Sequence, residues 1–273
     1  MGRRGDGSDG HCWAGGLGAL LDGGGDDVYT AGNWAMGTSY WFGIGLLHDR
    51  AGDDEYRGVA WVQGSGAHFC ISALVDEAGD DKHLSEGNTL NSLAFGHDFS
   101  VALLLNAGGN DVYEVGPSGL AYSINRSVAM LLDLAGDDTY RVDAAKRVAA
   151  GADRPGFAQN NPGFRARGVS SFFAQTTSVG LFLDIGGRDA YWEPPKSPTQ
   201  PATQPAPASA PVARYAGRVQ NDAHWLDAPE SPNWADRNFS VGVDRADGEV
   251  ELTPAPVRRP SGPARTESEK VKK

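Results

Sequence analysis

Six short apolar segments punctuate the first two thirds of the chain: Leu17–Leu20, Ile44–Leu47, Ile71–Leu74, Val101–Leu104, Val128–Leu131 and Val179–Phe182. Small residues flank the first apolar position of each, as in Gly16 and Gly18, Cys70 and Ser72, or Ser127 and Ala129. Alternation of small and large side chains over four or five residues, closed by an Asp/Gly turn, predicts a strand with one face in a core. It is too short for a helix. Which face takes the final leucine, and whether a bulge sits there, is open at this level.

After every segment the same phrase returns. It reads Asp22-Gly-Gly-Gly-Asp-Asp-Val-Tyr29, Asp49-Arg-Ala-Gly-Asp-Asp-Glu-Tyr56, Asp76-Glu-Ala-Gly-Asp-Asp-Lys-His83, Asn106-Ala-Gly-Gly-Asn-Asp-Val-Tyr113, Asp133-Leu-Ala-Gly-Asp-Asp-Thr-Tyr140 and Asp184-Ile-Gly-Gly-Arg-Asp-Ala-Tyr191. Successive closing residues are 27, 27, 30, 27 and 51 positions apart. A constant step with two insertions marks a repeat array. The Tyr or His opens a second short extended stretch and a third follows, so each repeat holds three short strands. That fits one coil of a parallel β-helix, whereas a propeller blade needs about 40 residues and four antiparallel strands. Glycine density and the absence of a 3.6-residue period disfavour helical repeats. The expected fold is all-β: a right-handed parallel β-solenoid of about six coils, roughly 29 Å long at a spacing of about 4.8 Å. In it Tyr29, Tyr56, His83, Tyr113 and Tyr140 form an aromatic ladder.

The domain plan follows. Residues 1–13 are an irregular start, with Trp13 and Trp41 either interior or shielding the N-terminal end. Residues 14–193 are the solenoid, with an insertion at about 142–166. Residues 194–211 are a proline-rich spacer, and 212–273 a mostly disordered tail that docks through Trp225 and Trp234. The arginines at the start faintly suggest an export signal, but Gly16, Leu17, Gly18 and Leu20 already match the repeat, so the chain is expected to open at its first coil.

Composition sharpens this. The 37 glycines without a triplet period exclude collagen and call for tight turns. A net charge of −11 argues against a nucleic-acid partner. Two cysteines, Cys12 and Cys70, give neither a disulfide framework nor zinc spacing. No apolar run reaches the roughly 18 residues of a membrane span.

The Gly-Asp-Asp turn carries the candidate chemistry. In-register stacking places Asp26, Asp53, Asp80, Asn110 and Asp137 in one file and Asp27, Asp54, Asp81, Asp111 and Asp138 in another. Unit charges about 4.8 Å apart repel by roughly 1 kcal/mol in water and several-fold more in protein. Hard cations such as calcium offset this with carboxylate and carbonyl ligands. The competing reading is that each carboxylate caps backbone amides of its own turn and needs no metal.

The turn is similar to calcium-binding β-roll repeats of the RTX type. Those carry a Gly-Gly-x-Gly-x-Asp nonapeptide twice per coil, so their calcium geometry does not transfer to one turn per 27 residues. The longer unit, Gly-x-Gly-x-Leu-x-Asp-x-x-Gly-Asp-Asp-x-Tyr, resembles repeats of large bacterial β-solenoid proteins of uncharacterised function. That resemblance covers about two thirds of the chain and implies a fold more than an activity.

Parallel β-helices often act on polysaccharides, and His97 and Asp98 with Arg126 are the one conceivable catalytic group, an alternative set beside a loop pair in the three-residue insertion. No nucleophile elbow, P-loop, HExxH or Cys-His pair occurs. Added loops carry function, and the larger insertion bears Arg141, Lys146, Arg147, Arg154, Arg165 and Arg167 beside Asn160, Asn161 and Phe164. The function expected is a non-catalytic structural or binding module, extracytoplasmic and calcium-loaded, facing glycans or protein partners; the alternative is a carbohydrate-active lyase or hydrolase.

Overall fold

A computed structural model describes residues 10, 12, 14–85, 91–116, 119–142, 170–171, 178–192, 224–227 and 239–245. The basic insertion beyond residue 142, the spacer, Trp13 and Trp234 lie outside the described residues. Those described contain no helix, and so none long and apolar enough to cross a membrane.

The chain winds as a parallel β-solenoid of about four turns. One wall is a long sheet in which Leu17–Leu21, Ile44–Asp49, Ile71–Asp76, Val101–Asn106, Val128–Asp133 and Val179–Ile185 lie side by side. Every neighbouring pair is parallel and in register. The second wall carries the aromatic residue of each phrase and runs from Val28–Thr30 through Glu55–Gly58, Lys82–Ser85, Val112–Val115 and Thr139–Val142 to Ala190–Trp192. A third, of two-residue strands, joins Ser39–Tyr40, Gly66–Ala67, Gly96–His97, Ser123–Ile124 and Ser170–Ser171. A short pair, Asn33–Ala35 and Ala60–Val62, fills one corner.

The long sheet resolves the question of the leucines. Along Ile71–Asp76 the side chains alternate out and in, so Ser72, Leu74 and Asp76 are buried. The same positions are buried in the three neighbouring strands, and the register runs without a bulge. Small residue, leucine and aspartate are thus the three inward positions. Leu47, Leu74, Leu104, Leu131 and Phe182 stack as the apolar core, which one coil alone cannot bury.

Opposite them stands the aromatic ladder. Ring centroids are 4.9 Å apart for Tyr29–Tyr56, Tyr56–His83 and His83–Tyr113, and 4.8 Å for Tyr113–Tyr140, with planes within 6° of parallel. Strand spacing sets this distance, since parallel in-register pairing leaves each ring only its counterpart to pack on.

At the far end Phe239–Arg245 adds a parallel strand to the long sheet, and His224–Asp227, which contains Trp225, closes it antiparallel. A reversed strand ends the parallel stack.

Candidate functional site

The Gly-Asp-Asp turns stack so closely that their two aspartate files perform different work. In the outer file the lower coil's side chain accepts the next coil's amide. Asp53 N–H donates to Asp26 Oδ1 at 3.1 Å, Asp80 to Asp53 at 3.0 Å, Asn110 to Asp80 at 2.8 Å, and Asp137 to Asn110 at 3.0 Å. This file is exposed, so water screens its charges. Asn110 breaks the charge but keeps an acceptor oxygen, so the file continues through it.

The inner file runs the other way and is buried. Asp27 N–H donates to Asp54 Oδ1 at 2.6 Å, Asp54 to Asp81 at 2.7 Å, Asp81 to Asp111 at 2.7 Å, Asp111 to Asp138 at 2.7 Å, and Asp138 to Asp189 at 2.8 Å. The carboxylates therefore cap amides, but those of neighbouring coils rather than their own turn. Each inner carboxylate spends only one oxygen this way. The Oδ2 atoms of Asp54, Asp81, Asp111 and Asp138 are buried with no hydrogen-bond partner.

Beside these carboxylates runs a third file that sequence reasoning did not single out: the residue closing each long strand, aspartate everywhere but at Asn106. Three carboxylates meet with oxygens within 4.8 Å of one another in the sets Asp54–Asp76–Asp81, Asp111–Asp133–Asp138, Asp138–Asp184–Asp189 and Asp22–Asp27–Asp49. The strand-end aspartates also bind the ladder tyrosines of the preceding coil, Tyr29 O–H to Asp49 and Tyr56 O–H to Asp76 at 2.5 Å, and Tyr113 O–H to Asp133 at 2.6 Å. Burial, reinforced by these carboxylates, raises the phenol pKa values far above their usual range. Burial also pushes the Asp54 carboxyl up to about 7 and, together with the charge on Asp133, Asp111 up to about 8. Asp81 and Asp138 are raised by the same causes, burial first and then the charges of Asp76 and Asp133.

One coil departs from this chemistry consistently. His83 replaces the ladder tyrosine and Asn106 the strand-end aspartate, and the two meet at 3.4 Å. The other imidazole nitrogen of His83 lies 3.0 Å from Gln63 Oε1. Burial lowers the His83 pKa to about 3, so the ring is neutral and an uncharged amide replaces the carboxylate. His83→Tyr alone should therefore destabilise, and adding Asn106→Asp should recover stability. A double-mutant cycle read by thermal melting should give a coupling of about 1–2 kcal/mol; strictly additive effects would show that the pair is not one unit.

The alternative catalytic residues are rearranged. His97 and Asp98 are not in the insertion loop: the pairing step lengthens from 27 to 30 between Ser85, paired with Gly58, and Gly96, paired with Gly66. His97 ends a strand of the third sheet, and Asp98 sits in the following corner with φ +52°. The guanidinium of Arg126 lies 5.1 Å over the ring of Phe99. His68 and Asn125 instead join Asp98. Both were recoverable from the sequence, since stepping from Asp98 by the repeat interval lands on His68 and Asn125.

No protein-family model, no curated protein and no solved structure matches this chain.

Proposed function

We propose that the chain is a non-catalytic structural or binding module, extracytoplasmic, built as a right-handed solenoid of about six coils that holds divalent cations, calcium foremost, among its buried carboxylates. Parallel crossover connections are right-handed in about 98% of cases, which supports the hand. One observation carries the reading: Asp54, Asp81, Asp111 and Asp138 each bury a carboxylate oxygen that no N–H or O–H donor reaches, and each belongs to a cluster with two further carboxylates. Buried charges left uncompensated cost several kcal/mol, so a cation or a proton must enter. Calcium uses carboxylate and backbone carbonyl oxygens of the kind assembled here.

The reading as a binding module rests on the outside. Phe42, Phe69 and Phe99 form an exposed file beside Ile44, Ile71 and Val101. The three rings are stacked on one another at 5.1 and 4.8 Å, so they turn their edges outward rather than their faces. Edges form an apolar ridge suited to a protein partner more than a platform for sugar rings. A polysaccharide-cleaving reading would need two accessible carboxyls in unlike environments, whereas those of the inner file repeat and are buried.

Calorimetric melting of the full chain in calcium and in chelator tests the proposal. A ligand held only by the folded state at 100 times its dissociation constant adds about 2.7 kcal/mol per site, a rise of roughly 5–10 °C for a domain of this size. Asp81→Asn with Asp138→Asn should shrink that rise. An unchanged melting temperature would remove the cation.

A further inference from the structure

In a repeat protein, side chains that recur serve the stack, and chemistry that occurs once does not. The corner following the third sheet is such a place. Each coil turns there through two consecutive left-handed residues: Trp41–Phe42, His68–Phe69, Asp98–Phe99 and Asn125–Arg126. Each left-handed residue costs about 1–2 kcal/mol. The corner offsets this by continuing the ladder, with Phe42 N–H donating to the His68 carbonyl and Phe69 N–H to that of Asp98. Corner side chains are thereby fixed in files, and Trp41, His68, Asp98 and Asn125 occupy one file.

Three potential ligands converge here. The Oδ2 of Asp98 lies 2.8 Å from His68 Nδ1 and 3.1 Å from His97 Nδ1. One ligand atom from each of the three residues falls within 4.8 Å of the others. The imidazole rings stand at 80° with centroids 5.4 Å apart, so they reach the common point from different directions. A tetrahedral ion with ligand distances of about 2.0–2.1 Å separates its ligand atoms by about 3.3 Å, a little more than the 2.8 and 3.1 Å between Asp98 Oδ2 and the two imidazole nitrogens. The side chains are 24%, 13% and 19% exposed for His68, His97 and Asp98, so the cluster is half-buried and still reaches solvent.

The surroundings hold the ligands in place. Asn125 donates its amide to Asp98 Oδ1, which leaves Oδ2 directed at the imidazoles, the outer-shell support usual for ligating carboxylates. Trp41 stacks on His68 at 4.7 Å and Tyr40 meets it edge-on at 5.0 Å. Trp61 approaches His97 edge-on at 6.2 Å.

We propose that His68, His97 and Asp98 form a site for one divalent transition-metal ion of the zinc type, with Asn125 as positioning residue and the fourth coordination position left open. Two imidazoles and one carboxylate select zinc-like ions over calcium, so the site is chemically distinct from the carboxylate files. Three protein ligands with an open position make an ion that can take an exogenous oxygen or nitrogen donor.

The test is a cobalt(II) titration of the chelator-stripped full chain, followed by visible d–d absorption. One ion per chain should bind with a four- or five-coordinate spectrum, be displaced by zinc, and resist calcium. His68→Gln and His97→Gln should each weaken binding at least about 100-fold and Asn125→Ala about 10–100-fold, while the calcium-dependent rise in melting temperature is unchanged. Absence of the d–d bands in the wild-type chain would overturn the proposal whatever the variants do. So would undiminished binding by the folded His68→Gln/His97→Gln chain.

Discussion

Gly79→Ala is expected to cost about 3–5 kcal/mol, near the upper end for single substitutions, and to lower the melting temperature by roughly 10 °C. Gly79 has φ +147°, and a Cβ added there would lie 1.6 Å from the carbonyl oxygen of Gly52. Gly109 stands in the same relation to Gly79, and Gly136 to Gly109, each at 1.6 Å. Stacked turns therefore touch backbone to backbone, and no flexible side chain can yield. The displaced turn would pull Asp80 and Asp81 off their neighbours' amides. Gly23→Ala is the control, because nothing lies within 4 Å of a Cβ there; it should stay within about 0.5 kcal/mol of wild type. Urea denaturation of both variants checks this. A Gly79→Ala chain within about 1 kcal/mol of the parent would mean the turns are not in direct contact.

In chelator, the protein should lose stability as pH rises from 6.5 to 8.5, by an amount worth about 5 °C or more in melting temperature. Most proteins are near their most stable in that range. Burial raises Asp54 to about 7 and Asp111 to about 8, with Asp81 and Asp138 raised as well. Unfolded aspartates titrate near 3.9. Across the window the folded chain therefore holds protons that the unfolded chain has already released, and stability must fall as pH rises. The contribution is complete below about pH 4 and disappears as the folded pKa values are passed. His83 and His97 act in the opposite sense on the acid side. Burial lowers them to about 3 and about 4, so their contribution is present above about 6.5 and is lost as pH falls toward those values. Where the two effects overlap, four raised carboxyls outnumber two lowered imidazoles, so the melting temperature should go on rising more gently as pH falls and turn over only near pH 4. Calcium ligands must be deprotonated, so stabilisation by calcium should grow with pH and flatten the alkaline limb. A melting temperature in chelator that stays level or rises across the window would show that the buried carboxyls hold no protons.

Much of this architecture is legible in the residues. The recurrent phrase yields the repeat length, the strand–turn–strand order and the aromatic file, because stacked coils translate a sequence interval directly into a spatial column. It also yields the two turn files and the interruption at Asn110. Asp98 and His97 stand out as chemistry that does not recur, and the repeat step leads from Asp98 to His68 and Asn125. The exposed phenylalanine file likewise follows from that step once one member is known to face outward.

The order of residues dictates which side chains share a column, since in-register parallel pairing preserves the interval between equivalent residues. Only the closed coil decided what lies across from each column and how deep it is buried. The strand-end aspartates read as the start of a turn, and their partners, the ladder tyrosines of the preceding coil and the inner turn carboxylates, come from other walls. The same closure hides Asp54 while leaving Asp53 in water, though the two are adjacent and chemically identical. Contacts between walls depend on the angles of the corners, and those are set by stacking of the whole coil rather than by any short run of residues.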